Sequence, residues 1–179
     1  MEDIQLVQRA QGGDTEAFGA LVERHQERIY ATLVKMTGDG DLALDLTQDA
    51  FIRAWEQLSS FEGRSAFTTW LYRIAVRLGY DEIERDRRRS SLEPAGEISD
   101  PAPGPEARVV ASSEAEELRR KIHELPPLQR AVVILRAYDE LPYREIAEIL
   151  RTTENSARVS FHHAITRLRG EYAEEARGR

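Results

Sequence analysis

The chain has 179 residues, 41% hydrophobic and 32% charged, with a formal net charge of -7 and no cysteine. That length holds one ordinary domain or two small ones, and the lack of thiols excludes disulfides, thiolate metal sites and a cysteine nucleophile. The longest apolar run, Ala131 to Leu135, is far too short to cross a membrane, and the first residues lack the basic and apolar stretches of a signal peptide, so a cytoplasmic protein without membrane insertion is expected.

A short first helix should end at Gly12-Gly13. Asp14 can cap a second, along which Phe18, Leu21, Val22, His25, Ile29, Leu33 and Met36 recur every three or four residues. Gly38 and Gly40 break that pattern. Asp41 is the expected cap of a third helix, with a stripe of Leu42, Leu46, Ala50, Ala54 and Leu58 widened by Phe51 and Trp55. After a loop over Ser59 to Ser65, a fourth helix turns Phe67, Trp70, Leu71, Ile74, Ala75 and Leu78 inward and carries Tyr72, Arg73, Arg77 and Tyr80 on its other side. Arg85, Arg87, Arg88 and Arg89 close this first block.

Residues 90–113 hold most of the prolines and almost no apolar periodicity, which marks a flexible linker between domains at 1–89 and 114–179. Fully extended the linker reaches about 80 Å, and as a random coil about 27 Å, against about 70 Å for two turns of DNA. Beyond it, helices are expected near Glu114 to Glu124 and over Leu128 to Asp139, with Pro126-Pro127 between them. Pro142 starts a helix over Tyr143 to Leu150, and a turn through Arg151 to Glu154 leads into a last one from about Asn155 to Tyr172. With no strand pattern, the expected fold class is all-α: two small helical domains, an N-terminal bundle and a C-terminal helix-turn-helix. Residues 1–89 carry 12 basic and 16 acidic groups, residues 90–113 carry 1 and 4, and residues 114–179 carry 12 and 12. The acid lies away from the last long helix, so the chain should bind free DNA poorly and need a partner to do it. The four histidines are scattered or adjacent rather than spaced as a ligand set, and no metal or cofactor is expected.

Leu125 to Arg169 reads as a helix-turn-helix ending in a basic, His-bearing helix, a module that puts one helix into the DNA major groove. Two features make this stretch more specific than a helix pair alone: the Leu-Pro-Pro entry at Leu125 and the Tyr-x-Glu-Ile-Ala core at Tyr143. Two further strings stand in the first block, DLTQDAFIRAW from Asp45 to Trp55 and FEGRSAFTTWLYRIA from Phe61 to Ala75. By these residues the chain resembles the extracytoplasmic-function (ECF) group of bacterial RNA polymerase sigma factors, from about Asp14 to Arg88 and again from Glu114 to Arg169.

The resemblance implies a protein that is not an enzyme. It would bind core RNA polymerase, direct it to a two-part promoter in DNA, help melt the downstream part and then dissociate. The Asp45 to Trp55 string would grip the polymerase clamp, and on a helix Asp45, Gln48, Asp49 and Ile52 lie near one another as an acidic and amide face for a basic partner. Phe61, Glu62, Gly63, Arg64 and Ser65 would form a pocket for a flipped base of the downstream element, with Arg73, Arg77 and Arg85 along the strand backbone. Trp70 shares that assignment but also lies in the apolar stripe, as a core tryptophan would. In the last helix Arg158, Val159, His162, His163 and Arg167 would face the upstream element, with one histidine at a base edge and the other at a phosphate. The acidic linker would thread the polymerase cleft, and family analogy adds an inhibitory anti-sigma partner.

Four positions depart from the family pattern: Arg77 stands where Asn is frequent, Arg151 where Gly is usual, and Ser160 and His163 where Arg is usual. Arg151 should be strained by about 1 kcal/mol in a left-handed turn, and the other changes should loosen the grip on DNA. Two rival readings are a stand-alone helix-turn-helix regulator with a sensor or dimerisation bundle, and a helical adaptor that never reads DNA. No nucleophile with a base, phosphate loop or ligand cluster favours an enzyme.

Overall fold

The structure, a computed structural model, describes the backbone of residues 2–92 and 113–177. Every regular element among the described residues is helical, and they divide into two compact units, Met1–Gly79 and Tyr80–Arg179.

In the first unit, α1 (Asp3–Gln11) opens with a reciprocal capping box between Glu2 and Gln5 and stops at Gly12. Asp14 then caps α2 (Thr15–Thr37) by accepting the Ala17 N–H at 3.0 Å. That bond, with help from the Arg9 guanidinium 2.6 Å away, holds the Asp14 carboxyl below the usual carboxylate range. Gly38, at φ 78°, ends α2 in the left-handed conformation that favours glycine. The cap of α3 (Gly40–Gln57) is Asp39, not the expected Asp41: its extended backbone puts the carboxylate at the amides of Asp41 and Leu42, at 2.9 and 3.0 Å. Gly40 therefore begins the helix instead of breaking it. A 3-10 turn, Leu58–Ser60, and an irregular loop lead into α4 (Phe67–Leu92).

The core of this unit is built by Leu21, Leu33 and Met36 of α2, Ala43, Ala50 and Ala54 of α3, and Leu71, Ala75 and Val76 of α4. A Cβ on Gly79 would stand 2.9 Å from Leu33 Cδ2 and 3.3 Å from Met36 Sδ, so the bare backbone of α4 lies against side-chain tips of α2. Tyr72, expected on the outer side, is buried, as is Val76, because α4 is covered over a wider arc than a single stripe. Trp70 and Ile74 are only half-buried. The helix also continues past the expected end of the first domain at residue 89. Glu82 pairs with Arg85, and Glu84 with Arg87 at 3.5 Å and Arg88 at 3.9 Å, the three- and four-residue spacings at which opposite charges support a helix, and Glu82 also reaches Arg89 at 2.9 Å, two turns on. Most of the expected linker, residues 93–112, lies outside the described residues.

In the second unit, α5 (Ser113–His123) and α6 (Pro127–Val133) are separated by the Pro126-Pro127 step. The expected helix from Leu128 to Asp139 widens after Val133 into a π turn, Ile134–Tyr138, where Asp139 N–H reaches back to Ile134 O at 3.3 Å. Then come α7 (Tyr143–Leu150) and α8 (Glu154–Arg177), which close over Val132, Ile134, Leu135, Ile146, Leu150, Ala157, Ala164 and Leu168. Lys121, the most buried charge of this unit, is paired with Glu117 at 3.1 Å, one helical turn away.

His123 ends α5 and gives its carbonyl to the Arg130 guanidinium. Its imidazole pKa is pushed down to about 4, first by burial and then by the positive charge of Arg130. A histidine that titrates lower folded than unfolded stays neutral in the native state while the unfolded chain takes up a proton. Its contribution is therefore complete above about pH 6.5 and is lost as pH falls toward about 4. Allowing for partial exposure, stability of the second unit should drop by on the order of 1 kcal/mol per pH unit through that window, and His123→Gln should remove most of the slope. Urea unfolding of both proteins at pH about 7, 6 and 5 measures it, and parallel pH profiles would contradict the assignment.

Candidate functional site

Three surfaces carry the residues that the sequence singles out, two on the first unit and one on the second.

On α3, Ala43, Leu46, Thr47, Ala50, Phe51 and Ala54 face inward. The opposite face presents Asp45, Gln48 and Asp49, all exposed, together with Ile52 at 55% exposure. Asp45 and Asp49 form no ion pair among the described residues. Sequence reasoning missed Leu44, which is 50% exposed two turns before Ile52 on the same face. A leucine outside the apolar stripe was the available signal. The face is thus an apolar pair flanked by carboxylates, a composition that suits a protein partner better than bulk water.

The second surface is the loop between the 3-10 turn and α4. Ser60, Phe61, Glu62, Arg64, Ser65 and Trp70 line an open cavity of about 220 Å³. Phe61 and Trp70, with ring centroids 5.1 Å apart, form its apolar wall, and the buried Phe67 backs them at 5.8 Å from Trp70 and 6.0 Å edge-on to Phe61. Trp70 therefore takes both roles, core contact and cavity lining. Gly63 sits in the loop at φ 71°, where a side chain would be strained. Glu62 and Arg64 pair with each other at 2.6 Å while both stay largely exposed. A wall of rings with two hydroxyls, a carboxylate and a guanidinium at its rim can stack a flat aromatic ligand and bond its edge.

Four of the residues expected at this pocket line it together with Trp70, and Gly63 is in the same loop. Ser60 was missed, one residue before the expected start. Arg73 and Arg77 follow on α4 without lining the cavity. Nε of Arg73, and Nε and Nη1 of Arg77, are buried, so Arg77 offers less to an outside phosphate than its sequence position suggests. Arg85 falls in the second unit, exposed and tied to Glu82.

The third surface is the α7–α8 pair. Arg151 closes α7 at φ 52°, ψ 47°, the left-handed conformation expected of it. Thr153 Oγ1 then accepts the Ser156 N–H at 3.1 Å to start α8. Ala157, Ala164 and Leu168 turn inward, which leaves Arg158, Val159, His162, His163 and Arg167 exposed; Ser160 is half-buried. The two histidine rings lie 6.4 Å apart and diverge. Arg158 is held: it pairs with Glu154 at 2.8 Å, and its guanidinium carbon lies 5.0 Å from the centre of the Tyr143 ring. Arg136 stands 5.1 Å from the same ring, so Tyr143 collects two cations, an arrangement that sequence spacing did not announce.

A model of sigma-70 region 2 matches residues 21–89, and one of sigma-70 region 4 matches residues 115–168. The chain is 39% identical over 160 residues to the ECF RNA polymerase sigma-E factor of Escherichia coli, covering 84% of this chain and 83% of that one. It is 33% identical over 173 residues to the ECF RNA polymerase sigma factor SigW of Bacillus subtilis, covering 91% and 92%. Among solved structures, that of CnrH in complex with the cytosolic domain of CnrY matches with a TM-score of 0.66 at 23% identity, over 96% of this chain and 97% of that one, a likeness of fold.

The left-handed Arg151 sets the angle at which α8 leaves the turn, and an L side chain there carries strain. Replacing it with glycine should raise the stability of the second unit by about 0.5–1 kcal/mol, the relief of strain exceeding the added freedom of the unfolded chain. Arg151→Ala should change stability by less. Urea unfolding reads both, and a destabilised Arg151→Gly would mean that the arginine side chain holds the turn by contacts that outweigh its backbone cost.

Proposed function

The chain belongs to the ECF group of the sigma-70 family of RNA polymerase initiation factors, and from that membership we propose that its units divide promoter recognition between a strand-capturing loop and a groove-reading helix. As a sigma factor it binds core RNA polymerase and promoter DNA to start transcription. It acts as a specificity subunit in the cytoplasm and catalyses nothing itself. Both family regions occur in order, which sets aside a stand-alone regulator and a DNA-free adaptor.

Residues 1–89 form the polymerase-binding and downstream-reading domain of this proposal, 90–113 the tether and 114–179 the upstream-reading domain. Leu44 and Ile52 of α3 bury against the polymerase while Asp45, Gln48 and Asp49 steer and orient the encounter. An anti-sigma protein, included on family grounds, would compete for that apolar pair. An unpaired base of the downstream element stacks on Phe61 and Trp70, with Ser60, Glu62, Arg64 and Ser65 at its polar edge. Arg73, Arg77 and Arg85 serve the phosphates, Arg77 least because of its buried nitrogens. In the major groove Arg158 forks onto a guanine edge, Val159 meets a thymine methyl, and His162, His163 and Arg167 bear on flanking bases and phosphates.

The observation that carries this division is the open pocket that Ser60, Phe61, Glu62, Arg64 and Ser65 form beside Trp70. The polymerase contact is the step on which everything else waits. Reversing both charges, Asp45→Lys with Asp49→Lys, should weaken holoenzyme formation by about 1–3 kcal/mol without disturbing the fold, because both carboxylates are exposed. Titration of core polymerase with labelled protein, beside circular dichroism, gives the number. Unchanged affinity would remove this face from the interface.

A further inference from the structure

Helix α1 lies before the first residue of the region 2 match, which begins at residue 21. It nevertheless touches the loop that forms the cavity. Gln11, at its last turn, donates from Nε2 to two carbonyls, Leu58 O and Phe61 O, each at 2.9 Å and across about fifty residues of sequence. Those two carbonyls bracket the 3-10 turn, whose own bond runs from Phe61 N–H to Leu58 O at 3.1 Å. One side chain thus pins both ends of the segment that launches the loop.

The other end of α1 leans on the far side of the same loop. Ile4, 50% exposed, has its Cδ1 4.0 Å from where a Cβ on Gly63 would stand. Glu2, Asp3 and Ile4 line a second cavity of about 370 Å³ that shares Phe61 and Ser65 with the first. Asp3 fastens this end to α2, accepting from Arg24 Nη1 at 2.6 Å and pairing with His25 Nε2 at 2.8 Å, and the His25 ring packs 5.8 Å from Phe67.

We propose that α1 is a buttress for the strand-capturing loop and that Gln11 is its positioning residue, fixing the Phe61 backbone so that its ring is set against Trp70 before DNA arrives. This rests on the reading of that loop as the downstream-element pocket. A binding surface pre-set in this way avoids ordering the loop on binding, which would otherwise weaken the complex. Gln11 touches no phosphate in this role, so its loss should weaken strand binding without changing the number of ions released.

The test uses the full chain assembled with core polymerase and a fluorescein-labelled single-stranded oligonucleotide from the non-template strand of a promoter on which the holoenzyme is active. Gln11→Met keeps the shape and removes both donors. It should lower affinity for the strand about five- to thirty-fold, because the loop must then be ordered on binding, and lower the melting temperature by a few degrees, with holoenzyme formation and the slope of log affinity against log salt unchanged. Gln11→Asn keeps a donor that reaches at most one carbonyl, should fall between, and carries the test alone if the Met variant does not fold. An Arg85→Ala control, at an exposed residue assigned to the phosphates, should reduce the salt slope by about one. Phe61→Ala separates the two ideas. If it weakens strand binding and the Gln11 variants do not, the buttress is overturned and the pocket stands; if neither weakens it, the pocket itself is wrong. A Gln11→Met variant that loses strand affinity only together with holoenzyme formation would also overturn positioning in favour of a merely structural bond.

Discussion

Every outward face of this protein is set by how closely its helices approach through small side chains. Ala43, Ala50 and Ala54 on α3, Ala75 on α4, and Ala157 and Ala164 on α8 are all completely buried, and a Cβ on Gly79 would press on the side chains of Leu33 and Met36. Close approach fixes the rotation of each helix, because turning any of them would drive a longer side chain into a gap sized for a methyl group. With positions 43, 50 and 54 turned in, positions 44, 45, 48, 49 and 52 must face out. With 157 and 164 turned in, 158, 159, 162 and 163 must do the same. The two faces proposed for polymerase and for DNA are thus consequences of packing by small buried residues on their inner sides.

Electrostatics then decides the order of events. A net charge of -7 gives the free chain no general attraction for DNA, and carboxylates on α3 add to the repulsion. Arg158 is already engaged with Glu154 and Tyr143. An exposed ion pair of that kind is worth about 0–1 kcal/mol, so exchanging it for a base or phosphate costs little. Polymerase must supply what this charge distribution withholds, by bringing both units to DNA at once.

The element order, the helix-turn-helix and the all-α class were legible because long amphipathic stripes and paired prolines leave few alternatives. The strained Arg151 was legible only through the resemblance, since glycine is usual in the family at that turn position. What escaped depends on distance or on small energetic choices. Two aspartates, Asp39 and Asp41, compete for one cap, and only the backbone of Asp39 has the extended conformation that a cap needs. Tyr72 and Val76 were read as outside or passed over because a stripe counts one buried arc, whereas α4 is covered on more than one side. The continuation of α4 through Arg85 to Leu92 turns on ion pairs whose geometry exists only once the helix has formed. The bond from Gln11 to Leu58 and Phe61 spans too much sequence for any periodic pattern to signal it. Of the pocket, Phe61 to Ser65 and Trp70 were readable through the resemblance, but Ser60, one residue earlier, was not.

The central claim is that selectivity for DNA belongs to the assembly and not to the chain alone. Run-off transcription from a library of promoters, with core polymerase in the presence and absence of the protein and with binding of the free protein to the same DNA measured in parallel, tests it most directly. The account predicts that transcripts starting from a shared two-part pattern appear only with protein and polymerase together, while the protein alone binds that DNA weakly and with little preference. Tight, selective binding by the protein alone, or a failure to redirect polymerase to any member of the library, would contradict it.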